Sequence, residues 1–461
     1  MPHLMVTKRP HPVQRQHVLA RLLYSHSSAA RWMRRIATGL GIVLGVAQLK
    51  LAIESLFPAW IARKDFLQEY ILAKAMVDRV DPYLPIAELA SRYLGSLPQQ
   101  VFPHPTPHPP PVGLLLAPLA LFDYPTAAAI WLGVELLCLV AAVYLVSCAL
   151  DARFSVLATF VIGAFLLLWH PFWQELLWGQ LQVPMLVVLA GSWLALRKGH
   201  SLLGGAFTGL ALLLKPVPWP VLLLFVMWKD WHALAGAVLV ILVGYVAAGL
   251  LVGLDTLLRY FTTVLPWVTQ FYREYLGNIS LSSIGWRLFA GSAVEGLIAP
   301  PVIHCTAAAS IVAVLLPCLV LLVACAALWK RCSLEASLGI MICVSILISP
   351  ISWRHYLVLV FIPAAQVVHW LVRHQWPARE TNWALIVAGL LFVDWGMLVT
   401  VISGRIPIVE GEIKIPLGLA LVTLMPAVAV GALACLVASL SRDKGYCDEG
   451  FFANRSETSS S

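Results

Sequence analysis

The chain has 461 residues, of which 60% are hydrophobic and only 12% are charged, and its mean hydropathy is +0.84. Soluble domains carry about 25% charged residues, and one water-soluble core cannot hide repeated apolar runs of roughly 17 to 28 residues, each long enough to cross a bilayer. The composition therefore predicts an all-α polytopic membrane protein and excludes a β-barrel, whose strands show short alternating segments.

The net charge of +8 does not indicate a nucleic-acid partner, because many Lys and Arg residues stand at the ends of apolar runs, where they set membrane orientation. The nine cysteines include no CxxC pair, so they predict neither disulfides nor a zinc site. The sequence has no Gly-rich nucleotide loop, so a soluble nucleotide donor is not expected. We expect contact with membrane lipids and no nucleic acid, metal or cofactor.

The predicted organisation has three parts: a basic cytoplasmic segment at residues 1–35, an integral-membrane domain at 36–440, and a polar, disordered tail at 441–461. The membrane domain is predicted to hold about 11–13 transmembrane helices, given the length a helix needs to cross a bilayer. Lys50 and Glu54 lie four apart in the first span and share a helix face. They predict either a buried ion pair or a functional polar stripe.

A polar interval at residues 62–111 forms the predicted first outer loop. Apolar residues recur at helical spacing over 66–80, which predicts an amphipathic helix lying in the membrane interface. Asp81-Pro82-Tyr83 is expected to stop this helix, because proline disfavours a helical residue before it. A second helix is predicted at about 86–96, and the proline-rich run 103–111 is predicted to be extended.

The rest of the chain alternates apolar spans with short turns. Residues 112–122 are too short to span alone, and residues 201–228 form two short helices broken at Lys215-Pro216-Val217-Pro218. A second long outer loop is predicted at 255–301. The 201–228 pair is counted as two crossings. The other predicted spans are about 36–60, 126–150, 154–170, 181–197, 232–254, 303–329, 334–350, 356–373, 382–404 and 416–440.

The basic residues at the span ends predict the orientation. With the N-terminus inside, every inner turn carries Lys or Arg, as the positive-inside rule requires. This predicts a multi-pass protein of a cytoplasmic-type cell membrane, with both termini in the cytoplasm. The orientation places most of the unusual polar residues on the outer side: Asp65, Glu69, Asp81, His104, His108, Gln180, Lys215, Asn278, Arg354 and His355.

Carboxylates, His, Lys and Arg gathered at one interface indicate a site for an anionic substrate. Asp65 and Glu69 share a helix face. They predict either a pair of carboxylates for acid–base chemistry or an ordinary solvated helix face. Lys215 either reaches up to the lipid headgroups or binds a phosphate. His104 and His108 are metal-ligand types without an evident third ligand. The polar turn 349–356 contains a Trp-Arg-His-Tyr cluster, which a simple connection between two spans does not need, so it indicates a functional role.

Six motifs occur in order along the chain. They are Asp65-Phe66-Leu67-Gln68-Glu69-Tyr70 with Asp81-Pro82-Tyr83, His108-Pro109-Pro110 before Leu115-Leu116-Ala117-Pro118-Leu119, Gly179-Gln180, Lys215 to Pro218, Asn278-Ile279-Ser280-Leu281, and Ser349 to His355. Together they resemble the family 87 glycosyltransferases, polytopic enzymes of the GT-C type (the DUF2029 group). The resemblance covers about residues 60 to 365. His108 stands where the family usually has Tyr, and Gln182 where it usually has Asn.

The resemblance implies a GT-C fold and transfer of a hexose, typically mannose, from a polyprenyl-phosphate donor to a lipid-linked or glycan acceptor on the non-cytoplasmic face. It implies that Asp65 is the general base. Lys215, Arg354 and His355 are suited to stabilise the phosphate leaving group. The remaining residues expected to bind substrate are Glu69, Tyr70, Asp81, His108, Gln180 and Asn278.

Two other functions remain open from the sequence. A transporter or lipid flippase is one, although such proteins more often show internal repeats and broken, charged helices near the bilayer midplane. A structural membrane subunit with a degenerate site is the other.

Overall fold

A computed structural model describes residues 27–95, 104–152, 154–294, 297–329, 333–404 and 413–441. Residues 1–26 of the predicted N-terminal segment and residues 442–461 of the predicted tail lie outside the described residues. The described chain is almost entirely helical, which confirms the predicted fold class of an all-α polytopic membrane protein.

Helices of very different length make up the first half of the chain. A short 3₁₀ segment at Ala117–Leu121 follows the fifth helix. The helices are α1 (Ser28–Glu54), α2 (Pro58–Ile61), α3 (Phe66–Val77), α4 (Ile86–Leu94), α5 (Pro110–Leu116), α6 (Tyr124–Ala149), α7 (Val156–Leu166), α8 (His170–Trp178), α9 (Gln182–Arg197), α10 (Ser201–Leu214), α11 (Pro220–Met227) and α12 (Trp231–Val252).

The second half continues in the same way. A π-helical turn at Tyr260–Val264 and a 3₁₀ helix at Arg354–Val360 interrupt the α-helices. The helices are α13 (Leu254–Arg259), α14 (Leu265–Tyr272), α15 (Ser282–Phe289), α16 (Thr306–Trp329), α17 (Leu334–Ile348), α18 (Phe361–Arg373), α19 (Ala378–Phe392), α20 (Trp395–Ser403), α21 (Leu417–Val422) and α22 (Met425–Leu440).

Five described helical segments are long and apolar enough to cross a membrane, and two bent pairs bring the number to seven if each pair is one span. The pairs are α7 with α8, bent by 86°, and α19 with α20, bent by 52°. The predicted number of about 11–13 spans, set by the length needed to cross a bilayer, is larger. The predicted number includes shorter apolar helices, such as α9, α10, α17 and α22, which have fewer than 18 residues and are not among the five long segments.

The first span begins earlier than expected, because helix α1 starts at Ser28, where the Ser27 side chain accepts a hydrogen bond from the Ala30 N–H. Lys50 and Glu54 do form an ion pair at 3.5 Å, but their side chains are 77% and 45% exposed. The prediction of a buried pair is therefore wrong. Helix α1 packs mainly on α7 and α8, and the described residues leave the Lys50 and Glu54 side chains exposed.

Helix α3 confirms the helix predicted after residue 65, but its surroundings differ from the prediction. Ten of its twelve residues are buried, so it is an internal helix with other parts of the protein around it, and not an amphipathic helix with one exposed face. Phe66 stacks on Trp131 of α6 at 5.4 Å between ring centroids, and Gly113 of α5 sits against Leu72 and Met76. An apolar periodicity predicts a helix but does not say how many of its faces will be covered.

Helix α3 ends at Val77, and the following turn contains Arg79 with a positive φ of 54°. The second predicted helix is confirmed as α4. Residues 104–109 have no regular secondary structure before α5. Helix α5 and its 3₁₀ extension cover only 12 residues, about 18 Å as a helix, so this element is too short to span.

The break at Lys215 is confirmed, since α10 ends at Leu214 and α11 starts at Pro220. Helix α10 lies close along α12, because glycines leave room for the neighbouring backbone. A Cβ at Gly205 would collide with the Ala233 carbonyl, and one at Gly209 with the Ala237 carbonyl. This packing fixes the end of α10 and therefore the position of Lys215.

A small sheet joins residues 292–299 to residues 413–414. Strand β1 (Ser292–Val294) pairs antiparallel with β2 (Leu297–Ala299), and β2 pairs parallel with β3 (Ile413–Lys414), with Leu297 opposite Ile413. Leu276, Ala299 and Ile415 form part of the apolar cluster beside it. The sheet therefore fastens the chain before α21 to the second outer loop.

We expect Gly205→Val to lower the thermal unfolding midpoint in detergent, because the new side chain separates α10 from α12. Overpacking of this kind costs about 1–3 kcal/mol. The matched control is Gly133→Val on α6, where an added Cβ meets no atom within 4 Å. Equal midpoints for the two variants would contradict the close packing of α10 on α12.

Candidate active site

Asp65 stands at the first turn of α3 and is partly buried. Its backbone is already helical, with φ of −62°, and its side chain makes no capping hydrogen bond to the helix. The carboxylate is instead free to turn toward other elements. Gln180 Nε2 donates a hydrogen bond of 2.5 Å to Asp65 Oδ2.

Gln180 connects Asp65 to a cation. The Lys215 ammonium donates to Gln180 Oε1 at 2.8 Å, so one amide bridges a carboxylate and a lysine. Gly179 makes this possible, since it ends α8 in the left-handed conformation, with φ of 70°, which glycine adopts without steric cost. Lys215 also lies 5.1 Å from the ring centroid of Tyr356, a cation–π distance.

Glu69 pairs with His108 beside this chain of contacts. His108 Nε2 lies 2.9 Å from Glu69 Oε1, and both side chains are buried. The backbone carbonyl of His108 accepts a hydrogen bond of 3.0 Å from the Tyr83 hydroxyl. The carboxylate is thus held on the face of α3 that also carries Asp65, because residues four apart share a helix face.

His355 adds a further nitrogen to the same region. It is buried, and its Nε2 has no hydrogen-bond partner among the described residues. Lys215, Arg354 and His108 are the charged or titratable groups that act on it most strongly. Arg354 itself is paired with Asp394, at the bend between α19 and α20. Lys215 and His108 therefore lie near His355, whereas the Arg354 guanidinium is occupied by the Asp394 carboxylate.

Burial, together with the neighbouring Glu69 carboxylate, raises the pKa of Asp65 to about 7. The hydrogen bond from Gln180 and the charges of Lys215 and Lys64 act in the opposite direction. A carboxylate with a pKa near 7 is suited to take a proton and to release it at physiological pH. The site therefore has the electrostatic character expected of a general base.

Tyr70 and Asp81, two other residues predicted to bind substrate, connect parts of the protein. The Tyr70 hydroxyl donates to the Phe122 carbonyl at 2.8 Å. Asp81 pairs with Arg259 and accepts from the Tyr83 N–H at 3.0 Å. Although burial alone raises its pKa, these two donors hold the pKa of Asp81 below its usual value. Asp81 therefore ties the first outer loop to the second.

Asn278 has all of its amide capacity occupied by backbone groups. Its Oδ1 accepts from the N–H groups of Ser280 and Ser352 at 3.1 and 3.0 Å. Its Nδ2 donates to the carbonyls of Tyr272 and Pro350 at 3.3 and 3.1 Å. In this structure Asn278 joins the second outer loop to the 349–356 turn and has no capacity left for a substrate.

No cluster of three or more His, Cys, Asp or Glu side chains suited to a metal ion occurs among the described residues. His104, the other histidine of the proline-rich run, lies with Nε2 2.5 Å from the Tyr272 hydroxyl. It links the first outer loop to α14.

The sequence reasoning missed Lys64, Glu135 and Glu175, all of which are almost completely buried. Glu135 has no hydrogen-bond partner for either oxygen among the described residues, and Glu175 Oε1 accepts from the Val183 N–H at 2.9 Å. A signal for Glu135 was present, since it is a lone carboxylate inside an apolar span. Lys64 carried no such signal, because it stands in a polar loop.

The fold and the site define an integral-membrane protein with a buried carboxylate next to cationic groups. The sequence matches the model of glycosyltransferase family 87 over residues 107–350, just over half of the chain. The chain belongs to glycosyltransferase family 87, and it is a membrane glycosyltransferase. No curated protein and no solved structure gives a significant match.

The family match confirms the predicted family and covers a shorter range than the resemblance seen in the motifs. Gln180, Lys215 and Asn278 fall within the matched residues, whereas Asp65 lies before them and His355 after them. The assignment of individual site residues therefore stays a prediction.

We expect Asn278→Ala to destabilise the protein, because it leaves the buried Ser280 and Ser352 N–H groups without acceptors. Each loss of this kind costs about 1–3 kcal/mol. Thermal unfolding in detergent measures the effect, with the exposed Gln270→Ala as control. An unchanged unfolding midpoint together with a raised KM would instead favour a direct role of Asn278 in substrate binding.

Proposed function

We propose that the chain transfers a hexose, mannose as the resemblance implies, from a polyprenyl-phosphate donor to a lipid-linked or glycan acceptor. The chain of contacts from Asp65 through Gln180 to Lys215 carries this proposal. It places a carboxylate able to act as a base one amide away from a cation able to act on a phosphate. The proposed site faces the non-cytoplasmic side of a cell membrane, with both termini in the cytoplasm.

Asp65 takes the proton from the acceptor hydroxyl while the oxygen of that hydroxyl attacks the anomeric carbon of the donor sugar. The bond between that carbon and the phosphate oxygen breaks, and the polyprenyl phosphate leaves as an anion. Lys215 supplies a positive charge to the phosphate and the His355 ring an N–H donor, and preorganised charges and donors in a dry site are effective at this. No strong acid is needed, because a phosphate is a good leaving group.

The buried setting favours a lipid-linked donor over a soluble one. Lys215 and His355 are almost completely buried. Lys215 directly follows the apolar helix α10, and His355 lies in the first turn of the 3₁₀ helix Arg354–Val360. The chain also has no nucleotide-binding loop that would hold a sugar nucleotide. A polyprenyl chain can remain in the bilayer while its phosphate reaches these buried residues. A soluble donor would not need a binding site buried among apolar helices.

Transport of a lipid or sugar is the alternative function. Membership of a glycosyltransferase family favours transfer. An assay of both activities on the same vesicles separates the two.

We expect Asp65→Asn to reduce sugar transfer by at least about 100-fold, the usual contribution of a positioned base. The assay is transfer from radiolabelled polyprenyl-phosphate mannose to a membrane lipid extract. The matched control is Asp78→Asn, since Asp78 pairs with Lys74 at the far end of α3. Equal transfer by wild type and Asp65→Asn would remove Asp65 from the mechanism, and transfer from a sugar nucleotide alone would overturn the donor assignment.

We expect kcat/KM to fall as the pH is lowered through about 7, because burial raises the pKa of Asp65 to about 7. Below that pH the carboxyl holds a proton and cannot accept another, so the rate falls about tenfold per pH unit. The measurement is a profile from pH 5 to 9. An acidic limb near pH 4 would show that the group in control is an ordinary exposed carboxylate.

A further inference from the structure

Lys64 is one of the most deeply buried charged side chains in the described chain, with only 2% of its surface exposed. It directly precedes Asp65 in the sequence. A buried ammonium is costly unless each of its N–H groups has a partner. The identity of those partners is therefore informative.

The Lys64 ammonium donates three hydrogen bonds, which is its full capacity. It donates to Leu176 O at 3.2 Å and Leu177 O at 2.6 Å. Both carbonyls belong to the last turn of α8, where a cation is favoured by the helix dipole. The third bond goes to the Ser55 hydroxyl at 2.7 Å, at the end of α1.

These contacts lie next to the bond between Asp65 and Gln180. Helix α8 ends at Trp178, and Gly179 and Gln180 follow at once. The Trp131 indole N–H donates to the Gly179 carbonyl at 3.1 Å, and Phe66 stacks on the same indole. Lys64, Asp65 and Phe66 thus each fasten the start of α3 to the end of α8.

We propose that Lys64 is a positioning residue, which holds the Asp65 carboxylate against Gln180 by capping α8 and binding the end of α1. This inference rests on the proposed function, in which Asp65 is the base. Lys64 does not touch the substrate and acts only through Asp65.

The charge of Lys64 has a second effect on the same carboxylate. Burial lowers the pKa of Lys64 to about 8, with Glu135 and Asp65 opposing the shift, so the ammonium is mostly charged at pH 7. That charge lowers the pKa of Asp65. Removal of the charge therefore raises the pKa of Asp65, an effect that a purely mechanical role would not produce.

The variant Lys64→Met keeps the aliphatic length and removes all three donors. We expect kcat to fall about tenfold to 100-fold with KM nearly unchanged, as for a small misplacement of a catalytic group. The acidic limb of the pH profile moves to higher pH. The control Lys74→Met removes a lysine that is paired with Asp78 and partly exposed on the same helix, and it leaves both kcat and the limb at wild-type values.

Lys64→Arg keeps the charge but not the geometry of the three bonds. We expect a lower kcat with the acidic limb near its wild-type position. If Lys64→Met does not fold, this variant carries the test, and a wild-type kcat in Lys64→Arg would overturn the inference. A wild-type kcat and limb in folded Lys64→Met would overturn it as well.

A second readout needs no sugar donor and therefore separates this inference from the proposed function. Dicyclohexylcarbodiimide modifies protonated buried carboxyl groups, and mass spectrometry reports the modification of Asp65 against pH. We expect the modification in Lys64→Met to persist to higher pH than in wild type or Lys74→Met. Identical profiles would overturn the role of Lys64, whereas a shifted profile in a protein without transfer activity would overturn only the proposed reaction.

Discussion

The burial of a carboxylate next to apolar helices is the constraint on which the rest of this structure depends. A charged group removed from water is stable only with well-placed polar partners. Asp65 receives one from Gln180, which is itself held by Lys215. Gln180 and Lys215 stand at the ends of two different helices, more than thirty positions apart in sequence. The ends of α8 and α10 must therefore meet the start of α3, and this meeting point is the site.

The residues of the site fall into two groups that sequence alone does not separate. Hydrogen bonds join Asp65, Gln180 and Lys215, and Glu69 pairs with His108 beside them. Asp81 and Asn278 turn their polar atoms to a neighbouring arginine or to backbone groups and hold the outer loops together. Both kinds of residue are polar positions between or at the ends of helices, and only the identity of the contacting atoms distinguishes them.

Local rules predicted the local features well. Proline before an apolar run marked the start of α11, and the DPY motif followed the end of α3. The family motifs identified Gln180 and Lys215 individually. Their joint role was not predictable, because it requires the left-handed turn at Gly179 to aim the amide at Asp65. The internal position of α3 was also missed, since periodicity describes one helix and not the neighbours that cover it.

Lys64 and Glu135 show a different limit. A lysine in a polar loop normally lies in water, and its burial here depends on three acceptors that come from α1 and α8. Two of these acceptors, the Leu176 and Leu177 carbonyls, are 112 and 113 positions from Lys64 in the sequence, so no short window of sequence contains them together with the lysine. A lone glutamate in an apolar span is easier to notice, but its neighbours Lys64 and Glu175 come from separate segments.

The long-range contacts also show that the family-matched segment, residues 107–350, is not a self-sufficient piece of the protein. The Trp169 indole N–H donates to the Leu391 carbonyl, and the buried Arg287 donates to the Ala420 carbonyl. On the other side, Gln180 depends on Asp65 for one of its two bonds. A chain cut at either boundary would leave these hydrogen-bond donors without their acceptors. The part of the sequence that relatives share is thus narrower than the part that must fold together.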